Sequence, residues 1–236
     1  MKPLNRKNYG SIPHLIGSKI GETDKYVHEG QHRILTEKTR DKYDFVIVTE
    51  KYDGSNVGIT KVDGRIMAIT RSGYLAETSP YSQHHYFSKW VEFNKSRFDF
   101  IKEGERFVGE WMLVAHGTKY RIADEPFLAF DYFIKDNERL IYDDFLRLVV
   151  NRFHTPRIIY SGYGSLSIEE GMKRLLIPDP NFETEQPEGL VYRVERKCKF
   201  DFIAKYVRPG YESGKYIIGV DEKDLIWNMN IYGHTD

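Results

Sequence analysis

The stretch Val48-Thr49-Glu50-Lys51-Tyr52-Asp53-Gly54-Ser55-Asn56-Val57-Gly58 constrains this chain most, because a lysine closes one apolar run and an Asp-Gly pair separates it from the next. Phe45-Val46-Ile47-Val48 before it and Val57-Gly58-Ile59-Thr60 after it have the β-branched and aromatic composition of strands. Asp-Gly between two such runs is a hairpin-turn signal. The expectation is a hairpin that carries Lys51 on a strand end, beside a rigid turn, where its amine can point into a pocket as a candidate nucleophile. An ordinary hairpin with an exposed lysine at its shoulder has the same local sequence, so other segments must decide.

Those segments belong to a globular chain. Its 236 residues are 40% hydrophobic, enough to bury a sizeable core in one large domain. Lys+Arg and Asp+Glu both number 35, so a basic surface for nucleic acid must be local. The single cysteine, Cys198, excludes an internal disulfide and a multi-cysteine zinc site. No apolar run approaches the ~18–20 residues of a membrane span, and the first residues lack the apolar core of a signal peptide. A soluble, cytoplasmic monomer without membrane contact is expected. Aromatics make up 14% of the chain, which favours β-rich structure and offers faces for bases to stack on.

The first forty residues carry scattered Gly, Pro and His without a sustained period and read as loops and short strands. Tyr43 to Thr70 reads as an antiparallel meander turning at Asp53-Gly54 and Asp63-Gly64. A helix is predicted from Tyr86 to Phe100, broken near Ser96; another from Tyr142 to Phe153; and a third from an N-cap at Ser167 to about Leu176, before Pro178 and Pro180. Strands are predicted at Arg106–Val114 and Phe127–Phe133. Two more, Glu188–Val194 and Phe200–Val207, pair across Lys197-Cys198-Lys199. Lys51, Glu110, Glu188 and Lys205 each interrupt an apolar strand-like run. Four such charges point to one polar cleft between sheets. Two carboxylates there suit a divalent cation or sugar hydroxyls, an aromatic such as Phe130 suits a base, and a cation such as Lys205 would lower the pKa of a nucleophilic lysine.

Lys51-Tyr52-Asp53-Gly54 resembles the Lys-x-Asp-Gly signature of the covalent nucleotidyltransferases, which include ATP-dependent DNA ligases, RNA ligases and mRNA capping enzymes. Arg71-Ser72-Gly73, Gly109-Glu110-Trp111, Phe130-Asp131, Glu188-Gly189-Leu190-Val191 and Ile203-Ala204-Lys205-Tyr206-Val207 resemble the later motifs in their usual order. The phage-type RNA ligases look most similar, including the Tyr9-to-Leu15 lead-in and His116 and Tyr120. The resemblance implies an α+β nucleotidyltransferase (ATP-grasp-like ligase adenylation) domain of antiparallel sheets flanked by helices. It implies that Lys51 attacks the α-phosphate of ATP to give a lysyl-adenylate. Asp53, Glu188 and Lys205 would complete the catalytic set. Glu50, Arg71, Glu110 and Phe130 would join them around the nucleotide, with Glu110 and Arg71 at the ribose and Phe130 or one of its neighbours Phe127 and Phe133 on adenine. Glu110 and Glu188 would hold Mg2+ or Mn2+, and Lys205 would contact the α-phosphate.

One departure lies in the last motif, which usually carries two lysines one residue apart. Here Val207 follows Lys205 at that spacing, leaving Arg208 or Lys199 to supply the second charge, or a register using Lys197 and Lys199. The other is length: residues 209–236 form a tail too short for an appended OB-fold, so a single catalytic domain over 1–236, with 1–40 as an extension, is expected. The activity implied is joining of RNA or DNA 5′-phosphate and 3′-hydroxyl ends. A nick-sealing DNA ligase, an RNA-capping guanylyltransferase and a binding module without catalysis are the alternatives, the last of which intact motifs argue against. Six basic residues against two acids between Arg193 and Arg208 place the polynucleotide along Arg193, Arg196, Lys197, Lys199 and Arg208. His84-His85 reads as a surface pair.

Overall fold

A computed structural model describes residues 1–177 and 182–229, with the backbone alone for residues 182–184. Among them are α-helices α1 (Glu29–Thr36), α2 (Ser82–Phe93), α3 (Tyr142–Val149) and α4 (Ile168–Leu175). The strands are β1 (Asp44–Lys51), β2 (Ser55–Val62), β3 (Arg65–Thr70), β4 (Arg106–Trp111), β5 (Tyr120–Ile122), β6 (Phe127–Phe133), β7 (Ile158–Gly162), β8 (Phe182–Thr184), β9 (Gly189–Arg196) and β10 (Lys199–Val207). They form one antiparallel sheet in the order β10-β9-β1-β7, a second in the order β3-β2-β4-β6, and the small pair β5-β8. This is the expected α+β arrangement of antiparallel sheets flanked by helices. No helix among the described residues is long and apolar enough to cross a membrane.

The period of two along β1 explains how the first sheet is used. Val46 and Val48 face a cluster with Leu15, Leu35, Leu166 and Leu175. The alternate residues Ile47, Thr49 and Lys51 line the space between the sheets. On β4 the same rule sends Phe107 and Trp111 into the larger core with Phe87 and Val91 of α2 and Phe127, and turns Glu110 toward that space. Trp111, Phe87, Phe107 and Phe127 are essentially buried, each contributing roughly 1.5–3 kcal/mol over exposure.

The Asp53-Gly54 turn does not close a hairpin. β1 pairs with β7 and β9, whereas β2 pairs with β3 and β4, so Tyr52-Asp53-Gly54 crosses from one sheet to the other. The physical reason is close packing: a Cβ on Gly54 would lie 2.6 Å from the Trp111 carbonyl oxygen, and the Asp53 amide donates to the Tyr120 hydroxyl at 2.9 Å. Asp63-Gly64 does close a hairpin, with both residues at positive φ between β2 and β3. Lys197-Cys198 does the same between β9 and β10.

α3 and α4 follow the sequence reading closely, α2 starts earlier than the predicted Tyr86, at Ser82, and α1 stands where the first forty residues had read as loops and short strands. α2 stops at Phe93 and a single 3-10 turn over Lys95–Phe98 follows; α3 ends at Val149; and the Ser167 hydroxyl accepts from the Glu170 amide at 3.2 Å as the N-cap of α4. The first forty residues are built into the domain. The Lys205 amide donates to the Pro13 carbonyl at 2.9 Å and the Leu15 amide to the Lys205 carbonyl at 2.8 Å, which covers the open edge of β10. The segment after β10 is equally engaged: Tyr211 is buried, and the Asn228 side chain accepts from the Tyr120 amide at 2.9 Å and donates to the Met112 carbonyl at 2.8 Å.

Candidate active site between the two sheets

The facing sheets enclose a cavity of about 180 Å³. From the first sheet it receives Thr49, Glu50, Lys51, Val191, Ile203 and Lys205; from the second, Asn56, Glu110, Leu128, Phe130 and Asp131. Lys51 is the last residue of β1 and pairs with Gly189, so Glu188 stands immediately beyond the partner strand and its Oε2 lies 2.5 Å from Lys51 Nζ. A Cβ on Gly189 would sit 1.9 Å from the Tyr206 carbonyl oxygen, so only glycine lets β9 and β10 meet beside that glutamate.

Burial shapes the acidity of the cluster. It pushes Glu188 and Glu110 up to about 7, although Lys51 opposes the shift in both. Burial also pulls on Lys51, but Glu188, Asp53 and Glu110 outweigh it and hold the ammonium above its ordinary value. The sequence reading expected a lowered value from Lys205; in the free protein the carboxylates win. Lys205 itself is lowered, by burial and by Lys51. Its near neighbours come from the N-terminal segment: Asp24 at 3.9 Å, which also meets His14 Nε2 at 3.2 Å, while His14 Nδ1 lies 2.7 Å from the Ser18 hydroxyl.

Asp53 is anchored at the crossing. Its Oδ2 accepts from the Gly117 amide at 2.6 Å and from the Tyr211 hydroxyl, so it fixes the sheet-to-sheet crossing. Glu110 accepts from the Gly54 amide at 3.2 Å, tying the same crossing to the second sheet. Glu50 is buried and paired with Arg157 at 3.1 Å. Phe130 lines the cavity, with the Tyr9 ring edge-on at 5.3 Å, whereas Phe127 and Phe133 are buried. Arg71 stands at the mouth, 3.3 Å from the Ser11 hydroxyl, and lines an open groove that begins at Lys51, Asp53 and Glu110 and ends at Tyr81 and His84. The structure thus brings together Glu50, Lys51, Arg71, Glu110, Phe130 and Lys205 around one cavity, with Glu188 against Lys51.

It does not bring together the expected nucleic-acid set. Arg193 is a buried residue, its side chain 6% exposed, held by Asp131 at 3.3 Å and Glu195 at 2.7 Å, so its charge serves the interior. Arg196 is pinned by Asp41 at 2.7 Å and Asp44 at 2.8 Å. Lys197 Nζ lies 5.3 Å from the Tyr43 ring centre, and Arg208 donates to the Pro187 carbonyl at 3.0 Å. Lys199 alone of the five lines a basic cleft, with Arg6, Lys7 and Arg106. His84 is not on the surface: both ring nitrogens are 2.6 Å from serine hydroxyls, of Ser55 and Ser79, and burial pushes it down to about 4.

Sequence reasoning missed Tyr211, Arg157 and Asp24. Each reaches its partner across a long loop, and none sits in a patterned run. His14 was visible only as part of the lead-in that resembles RNA ligases.

A lysine-centred cleft between two antiparallel sheets is the arrangement expected of the nucleotidyltransferase superfamily. A family model described as RNA ligase matches residues 44–207, most of the chain, and this protein belongs to that family. Among solved structures, Naegleria gruberi RNA ligase with pyrophosphate aligns at a TM-score of 0.52 with 18% identity, covering 83% of this chain and 59% of that one. Variants of the same ligase align similarly: one with AMP and Mn at 0.51 and 15% identity, covering 86% and 61%, and one with ATP and Mn at 0.52 and 16%, covering 84% and 59%. This chain therefore spans about three fifths of those proteins' length, and at such identities the likeness is one of fold. No curated protein matches.

Proposed function

We propose that the chain is an ATP-dependent polynucleotide ligase that carries AMP on Lys51, passes it to a 5′-phosphate end, and joins that end to a 3′-hydroxyl. The observation that carries this reading is the placement of Lys51 Nζ in the cleft between the sheets, 2.5 Å from Glu188 and sharing the cavity with Lys205. Membership in the RNA ligase family favours RNA ends, and the ATP, AMP and Mn named for the Naegleria structures favour the nucleotide and a divalent metal.

Lys51 attacks the α-phosphorus as a free amine; an N–P bond forms and the P–O bond to pyrophosphate breaks. In the free protein the amine is held protonated by Glu188, Asp53 and Glu110. Neutralising those carboxylates is what releases its proton. Among the described residues no group of three His, Cys, Asp or Glu is placed to hold a metal ion. Glu110 and Glu188 would be the protein's donors to a divalent cation, whose charge would favour their ionised form against the burial that raises them. Such a cation would supply Lewis-acid charge at the phosphoryl oxygens. Lys205 would contact the α-phosphate from the first sheet, Phe130 would stack on the base, and Arg71 and Glu110 would engage the ribose.

Incubation with α-labelled ATP or GTP and magnesium tests the reading. Label from ATP should stay on the protein through acid, map to the Lys51 peptide, and be discharged by a 5′-phosphorylated RNA with a joined product. Label that maps elsewhere, or none at all, would refute it.

A further inference from the structure

A second cleft opens beside the catalytic one, about 860 Å³ in volume, between the N-terminal segment, the end of β6 with the turn after it, and the start of β10. Arg6, Lys7, Arg106, Arg139 and Lys199 line it against a single acid, Glu138, in a chain with equal numbers of basic and acidic residues. We propose that this cleft seats the phosphodiester backbone of the polynucleotide strand whose end reaches Lys51, an inference that rests on the ligase reading.

The cations differ in how far they are already neutralised. Arg139 is paired with Asp131 at 2.6 Å, and its guanidinium stacks 4.3 Å from the Phe200 ring centre. Arg106 is different. It is 3% exposed and lies 4.0 Å from the Phe133 ring centre, with Nε donating to the Asn8 carbonyl at 2.9 Å and a second nitrogen to the Asn137 side chain. Both acceptors are neutral, so a charge buried at the cleft wall has no direct carboxylate partner. Burial pushes its pKa down to about 10, with Arg6 acting in the same direction. An anion in the cleft would relieve that potential. Arg6, Lys7 and Lys199 form no ion pair in the described structure and stand free to meet a phosphate.

The cleft is also continuous with the chemistry. Lys7 lines both it and the groove that contains Lys51, Asp53 and Glu110, and Gly10 lines both it and the cavity between the sheets. The backbone carrying these residues is held in place by the Asn8 and Tyr9 amides, which donate to the Arg71 carbonyl at 3.0 and 3.3 Å. A strand leaving the groove at Lys7 therefore enters the basic cleft directly. A positively charged track of this kind, with aromatic rings beneath it, follows a single strand without reading its sequence.

The test uses the full chain and a 5′-phosphorylated, single-stranded 12-nucleotide RNA of mixed sequence. Affinity is measured across a salt series for the wild type, for Arg6→Ala/Lys7→Ala/Lys199→Ala, and for a control with as many exposed charges removed elsewhere, Lys102→Ala/Lys173→Ala/Lys223→Ala. The cleft variant should bind on the order of tenfold more weakly at low salt, and the slope of log affinity against log salt should flatten by about 2, from ~0.7 for each lost phosphate contact. Self-adenylation is measured in parallel on all three proteins, and the control should keep the wild-type slope. A cleft variant whose slope matches the control overturns the proposal, even where the wild type adenylates and joins RNA and the ligase reading stands. A wild type that never adenylates refutes the ligase reading, while the slopes still report on the cleft. Inorganic phosphate at constant ionic strength is the last arm: if millimolar phosphate displaces the RNA completely, the cleft is a small-anion site and the strand proposal falls.

Discussion

Lys51 ends β1 and Glu188 immediately precedes its antiparallel partner β9, one register step away, and their charged atoms meet at 2.5 Å. Lys51→Ala should therefore give no acid-stable AMP adduct while keeping the fold. Lys51→Arg should not rescue it, because a guanidinium stays protonated. Glu188→Ala and Glu110→Ala should each lower ligation on the order of 100-fold, by loss of preorganised charge. Single-turnover adenylation with labelled ATP measures all four; an adduct on Lys51→Ala would remove this lysine from the mechanism.

Gly189→Ala should destabilise the protein by about 1–3 kcal/mol, the cost of overpacking a site with backbone on the far side. Its added methyl would meet the Tyr206 carbonyl at 1.9 Å and push β10, with Lys205, away from β9. Urea unfolding checks the stability, and self-adenylation should fall with it. A fully stable, fully active variant would show that the two strands have slack.

Stability should also depend on pH through His84. Its folded value, about 4, lies below the ordinary value of 6.5, so its contribution is present above 6.5 and is lost as pH falls toward 4. The span corresponds to roughly 3 kcal/mol. In His84→Gln the difference in unfolding free energy between pH 7.5 and pH 4.5 should shrink by about that amount. An unchanged difference would mean that the folded protein protonates His84 as readily as the unfolded chain.

Tyr211→Phe removes one of the groups that hold Asp53 and leaves the ring packed. Loss of a hydrogen bond to a charged group costs about 1.5–3 kcal/mol. Stability should drop within that range, and adenylation should slow on the order of tenfold because the crossing that carries Lys51 loosens. A variant with wild-type adenylation would confine Tyr211 to structure.

Much of the site was legible because its motifs are local. Lys51, Glu110, Phe130 and Lys205 stand at strand positions where alternation turns them toward the cleft, and Glu188 directly precedes a strand beside Lys51. The division into two sheets was not, since Asp53-Gly54 carries the same signal whether β2 folds back on β1 or crosses to another sheet. Arg193 shows a second limit. Alternation placed it on the face of Val191, and only the second sheet, with Asp131 upon it, shows that this face is interior. The contributions of Asp24 and Tyr211 come from segments with no period, through contacts that no short window contains.

The crossing at Tyr52-Asp53-Gly54 ties the nucleophile to both walls of the cleft. Lys51 meets Glu188 on the first sheet's side, whereas Glu110 rides on the second sheet and holds the far end of the crossing through the Gly54 amide. The carboxylates that keep the Lys51 amine protonated therefore come from both sheets and from the crossing between them, so the charge on the reactive atom is a property of how the two sheets are joined rather than of either one alone.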